Sequence, residues 1–352
     1  MSKRNSNVEL LRIISMLMIV AHHYIFYGVM QNYNSVIANV VYNDGSRINK
    51  LIAQIFLPGG IVGVGIFFVI MGYFGVQSDR VRLKSVVCET LFYSTAGLIV
   101  YICLRMIGVV ELHDIKNAIL CCINPLANST YWFVSVYVII TLMKPVLNQF
   151  IQNMNHVSIF LLCFLIYYLL ARYSSASFLG LINGCFFYVM GAFIRINNDN
   201  LQEKMRGRVC ICMGAIGWGM YLLFTNSSAL GVHKGGALFS LIGMCVGGTI
   251  SVIGFTIFFL KRKKFVNKII NRIGAATFAV YLIHEHPLLR ETLWSNMLSV
   301  ERVQWNSKYF GLWAIVSILI IFVVSVLFEM VREKIARGVA NSYCRKVRKG
   351  RE

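Results

Sequence analysis

The sequence predicts an all-α fold, a polytopic membrane bundle of about ten transmembrane helices with both termini cytoplasmic. Three observations carry this. Of 352 residues, 57% are hydrophobic, 14% are charged and only 4 are proline, which is more apolar and less charged than ordinary soluble domains. Ten stretches approach the roughly 20 mostly apolar residues that a helix needs to cross a bilayer core. The 34 lysines and arginines fall between those stretches, and they fall unevenly.

The spans are read at 8–28, 51–76, 85–107, 131–147, 157–171, 178–194, 209–225, 236–260, 273–289 and 309–328. The fifth and sixth run nearly together and are divided at Arg172 and the serines Ser174, Ser175 and Ser177. With the N-terminus inside, the inner segments hold 25 of the basic residues and the outer segments 8, with Arg105 inside the third span. The positive-inside rule sets the orientation from that asymmetry. The net charge of +20 is therefore a topology signal, and no nucleic-acid partner is expected, because no helix face collects the basic residues. The first span reads as a retained helix, since its apolar run is too long for a signal core and "YIFYGVMQNYN" offers no small-residue cleavage site. Residues 331–352 form a basic tail, suited to lie against anionic lipid or to be solvated.

Several conspicuous residues have plain readings. Cys88, Cys103, Cys163, Cys185 and Cys245 lie within spans, where cysteine packs as a small apolar residue. No cysteine pair stands with histidine at zinc spacing, so no metal centre is expected. Gly59 and Gly63 have the small-x-x-x-small spacing of close helix packing rather than the context of a phosphate loop. Tyr131 and Trp132 fall where an aromatic belt is expected, with sugar stacking as the alternative. His113, His156 and His233 lie in loops.

The first span, "VELLRIISMLMIVAHHY", is different. Arg12 and His23 are eleven residues apart, which is three helical turns plus about 20°, so they share a face about 16 Å apart along the axis. Glu9 lies within about 40° of that line, whereas His22 is turned away by about 100°. Ionisable groups at membrane depth face the bundle interior or a wet cavity, and a stripe of them is a functional-site hypothesis by default. His22, off the stripe, reads as a supporting hydrogen-bonding residue.

The ninth span, "FAVYLIHEHPLLR", carries His284, Glu285 and His286 just before Pro287. Counted from Arg272, His284 lies about 18 Å deep, and His23, counted from Glu9, about 21 Å. The two imidazole groups are expected at one level. Pro287 has no backbone N–H to give the carbonyl of Ile283, which loosens the helix beside them. On the inner side, "GYFGVQSDRVRLKSV" gathers Arg80, Arg82 and Lys84 near Arg12. Guanidinium groups grip phosphate in bidentate fashion, although positive-inside charge alone also predicts basic residues there.

"RNSNVELLRIISMLMIVAHHY", "GVGIFFVIMGYFG", "STYWFVSVYVIITLMKP" and "AATFAVYLIHEHP", in this order, resemble the acyltransferase-3 family of integral membrane acyltransferases. The most telling element is Glu-x-x-Arg followed eleven residues later by His, on Glu9, Arg12 and His23. The resemblance implies that residues 1–330 form a transmembrane acyltransferase domain in the cytoplasmic membrane. That domain would move an acyl group, acetyl first among them, from cytoplasmic acyl-CoA to a hydroxyl of an extracytoplasmic polysaccharide or lipid-linked glycan. Acyl-CoA is then a substrate, with no permanently bound cofactor. Arg12, with Arg80, Arg82 and Lys84, would hold the CoA phosphates. The paired arginines of the family would fall in "RVRLK", where Arg80 is followed at the Arg-x-x-Arg spacing by Leu83.

The chemistry would belong to His23, whose imidazole, with an unperturbed pKa of about 6.5, suits a general base. His284, Glu285 or His286 would orient it or stabilise the oxyanion, and Glu9 shares its stripe. An acyl-histidine intermediate is the covalent variant. The rival class is a transporter or glycan flippase, which predicts an internal repeat and paired broken helices, and the hydropathy displays neither.

Overall fold

The computed structural model describes residues 4–30, 45–78, 80–81, 83–110, 115–126, 131–153, 176–197, 205–225 and 242–349, with isolated positions between 155 and 165. Among the described residues every regular element is helical. Helix α1 (Ser6–His23) begins where the Asn5 side chain accepts from the backbone N–H of Asn7, and it continues into a π turn, Tyr24–Val29. Then come α2 (Arg47–Phe56), α3 (Gly59–Gly75), α4 (Lys84–Met106), α5 (Ile115–Ile123), α6 (Trp132–Asn153), α7 (Ala176–Ile196) and α8 (Gly207–Thr225). A π turn, Gly243–Gly247, leads into α9 (Gly248–Lys261), followed by α10 (Lys268–Ala275), α11 (Thr277–His284) and α12 (Phe310–Lys349).

Among the described residues, 7 helical stretches are long and apolar enough to cross a membrane, and an eighth, Gly180–Ile196, is apolar but shorter. These eight coincide with eight of the ten expected spans. The fifth expected span lies mostly outside the described residues. The ninth differs: in place of one long helix there are two short ones, α10 and α11, and the chain leaves the helix at His284. The Ile283 carbonyl accepts instead from the backbone N–H of His286 at 3.4 Å, as expected of a helix that meets Pro287.

Helix α1 is the hub, packing on α3, α9, α10, α11 and α12. Close approach to α3 requires glycine: a Cβ at Gly59 would run into the Met18 carbonyl, and one at Gly63 would lie 2.6 Å from the Ser15 carbonyl oxygen. The start of α1 is fastened to α10. Ser6 Oγ donates to Asn271 Oδ1 at 2.7 Å, and Asn7 Nδ2 donates to the carbonyls of Arg262 and Lys263 at 3.2 and 3.0 Å.

Three further differences from the sequence expectation concern what lies near the far end of α1. Residues 115–123 are helical and lie along α4, where Ser94 Oγ donates to the Cys122 carbonyl at 2.9 Å. Ser94 is midway along α4, so α5 reaches into the bundle. Residues after Pro287 form two short π helices, Thr292–Met297 and Val300–Gln304, whose Trp294 and Val300 are fully buried against the π turn that follows α1. Tyr131, expected in an aromatic belt, is fully buried and donates to the Leu282 carbonyl at 3.0 Å, which removes it from both the belt and sugar stacking. At the opposite end of the chain, α12 runs unbroken through position 330 into the basic tail as far as Lys349.

Candidate active site

The last residue of α1 and the last residue of α11 meet. His23 Nδ1 lies 2.9 Å from His284 Nε2, although 261 residues separate them in sequence. The other nitrogen of His284, Nδ1, stands 2.6 Å from the Val280 carbonyl, one turn back in its own helix. A carbonyl only accepts, so His284 Nδ1 carries the hydrogen and a neutral His284 presents a lone pair at Nε2. His23 must then donate from Nδ1, which leaves its Nε2 as a free lone pair. Among the described residues, Nε2 of His23 has no hydrogen-bond partner, and the side chain keeps 13% exposure. An oriented imidazole with a free basic nitrogen on a partly exposed side chain has the geometry of a general base.

Glu285 follows directly, at 1% exposure. Its Oε1 is 3.2 Å from His23 Nδ1 but off the N–H direction, which points at His284, so Oε1 is buried without a hydrogen bond among the described residues. Its Oε2 accepts from the Tyr27 hydroxyl at 3.4 Å and stands 3.8 Å from Arg290 NH1. Arg290 NH1 also donates to the Tyr27 oxygen at 3.2 Å, and the guanidinium lies 4.8 Å over the Tyr27 ring. Sequence reasoning missed Tyr27 and Arg290. The signal was available: Tyr27 is one helical turn beyond His23, and Arg290 is the basic residue nearest in sequence to Glu285 outside the span.

The other expected members divide. His286 turns away from His23: its Nε2 donates to the Ser94 carbonyl at 3.1 Å, and its Nδ1 accepts from the Leu288 N–H at 3.3 Å. It lines an apolar cavity of about 520 Å³ bounded by α4, α11 and α12, with Gly97, Leu282 and Phe328 among its walls. The exit from helix after His284 is the cause, since consecutive side chains there no longer follow helical spacing. Glu9 stays at the start of α1, about 21 Å along the axis from His23. It is buried against Gly274 and faces Arg12 NH1 at 3.4 Å and Arg4 NH1 at 3.9 Å. His22 donates from Nδ1 to the Leu57 carbonyl at 2.8 Å, capping the break between α2 and α3, as a supporting residue should.

On the basic side, Arg12 is 31% exposed at its side chain and pairs with Glu9 within its own helix. Arg80 and Lys84 are exposed, and the Arg80 carbonyl accepts from Lys144 Nζ at 2.7 Å, which ties this loop to α6. Arg82 lies outside the described residues, as do His113, His156 and His233. His23, His284 and Glu285 also offer three donor atoms within 4.8 Å of one another, the spacing at which side chains share a cation. A cation there would replace the His23–His284 hydrogen bond.

No curated protein and no solved structure matches the chain. A family model described as an acyltransferase domain does match, over residues 5–330, and that interval holds α1 to α11 and the crossing part of α12. That match shows that the chain belongs to the acyltransferase-3 family, and with seven helical stretches among the described residues long and apolar enough to cross a bilayer it is a multi-pass membrane acyltransferase.

Proposed function

We propose that the protein is an acetyl-CoA-dependent O-acetyltransferase of the cytoplasmic membrane. Its acceptor would be a hydroxyl of an extracytoplasmic polysaccharide or lipid-linked glycan. The single observation that carries the chemical part is the chain of hydrogen bonds from Val280 through His284 to His23, which leaves Nε2 of His23 as the free base.

In the step this supports, Nε2 takes the proton of the acceptor hydroxyl as its oxygen bonds to the thioester carbonyl carbon. The carbon–sulfur bond then breaks, and the imidazolium returns the proton to the departing CoA thiolate. Atoms and charge balance, and His23 ends as it began. The donor half of the reading is supported by Arg12, about 16 Å along the same helix face, whose guanidinium remains partly open to a phosphate.

The test is His23→Ala in the native host, with ester-linked acetyl on the surface glycan measured by NMR once membrane insertion is verified. A general base contributes about 10²–10⁴-fold, so acetylation should fall to background. Unchanged acetylation would sink the enzymatic role of His23.

A further inference from the structure

Among the described residues, Glu285 has one oxygen that is bonded and one that is bare. A buried carboxylate oxygen without a donor is costly, so it persists only where the surrounding structure holds it. What holds it is on the far side: Tyr27 and Arg290 meet Oε2, and through it they aim Oε1 at His23 Nδ1, 3.2 Å away. In the neutral resting state that N–H belongs to His284. Once Nε2 of His23 takes a proton the ring becomes a cation, and Oε1 is the nearest anionic oxygen. The bare oxygen is therefore compensated in the charged state and not in the resting one, which is the condition for an interaction to lower a barrier.

We propose that Tyr27 and Arg290 are a positioning pair. They act through Glu285 to stabilise the protonated form of His23, without touching donor or acceptor. This rests on His23 being the base. The geometry favours it because three elements converge on one carboxylate: the π turn after α1, the end of α11 and the segment after Pro287. The π turn, closed by the Met30 N–H on the Ile25 carbonyl at 2.8 Å, sets where Tyr27 falls relative to His23.

The experiment uses the full chain in native membranes, with labelled acetyl-CoA as donor and the endogenous acceptors of those membranes. Arg290→Ala, Arg290→Lys, Tyr27→Phe, Glu285→Gln and the double variant Glu285→Gln with Arg290→Ala are compared at equal inserted protein. Arg290→Ala should lower the rate at saturating donor about tenfold with the donor KM unchanged, and Arg290→Lys, which keeps the cation, should recover most of it. Tyr27→Phe should cost about threefold. The double variant should be no slower than Glu285→Gln alone, because a residue acting through Glu285 has nothing left to act on. Losses that multiply in the double variant, or a raised donor KM in place of a lowered rate, would overturn the positioning pair. His23→Ala measured alongside separates the two levels: retained transfer there removes the base itself, whereas a dead His23→Ala with multiplying losses removes only Tyr27 and Arg290.

Discussion

The two ends of α1 hold charged and polar side chains of similar kind, yet they are built differently. At the histidine end, His23, His284 and Glu285 come from elements about 260 residues apart and are nearly buried, with His23 hydrogen-bonded to His284 at 2.9 Å and 3.2 Å from Glu285. At the basic end, Arg12 finds its partner three residues away in its own helix, and Arg80 and Lys84 stand exposed. A buried set held by hydrogen bonds across the bundle is fixed before any substrate arrives, which suits a proton transfer that tolerates little misalignment. A partly exposed arginine, and exposed cations such as Arg80 and Lys84, suit a large, charged ligand that must enter and leave. Under the proposed function, the contrast would give rate to one end and affinity to the other.

Kinetics can break that assignment. After His23 itself, the largest effect is expected at His284. His284→Ala removes the acceptor that fixes the His23 tautomer and should slow the saturating rate by about 10²-fold with the donor KM unchanged, as loss of an orienting partner does elsewhere. Arg12→Ala should do the reverse, raising the donor KM about tenfold and largely sparing the saturating rate. If Arg12→Ala slowed the saturating rate alone, the division of labour between the ends would fail. The smallest effect is expected from Arg80→Ala and Lys84→Ala, each about twofold in donor KM and each weakening with added salt, because exposed charges are screened.

Much of this was legible in the sequence for a definite reason. The helical period is local, so placing Arg12 and His23 on one face, and turning His22 away, needed only residue spacing. The depth count that put His284 level with His23 agrees with their 2.9 Å contact, although the path from Arg272 to His284 is two short helices, α10 and α11, rather than the single helix the count assumed. It stopped working one residue later: His286, two positions on, points to Ser94 because the helix has ended. Tyr131 was misread for a related reason. Its place at the start of a span suggests an interface, whereas in the fold it is buried and meets Tyr281, Leu282 and His286. The helix at 115–123 was hidden because its pattern is too short to separate from a loop.

The sequence by itself determined the class of fold, the helical stripe on α1 and the family, since hydropathy, periodicity and motif order are properties of neighbouring residues. Only the tertiary structure decided which nitrogen of His23 is free, because that follows from Val280 fixing His284 and His284 fixing His23 across the bundle. Hydrogen-bond direction is set by which atoms face one another in space, and no count along the chain contains it.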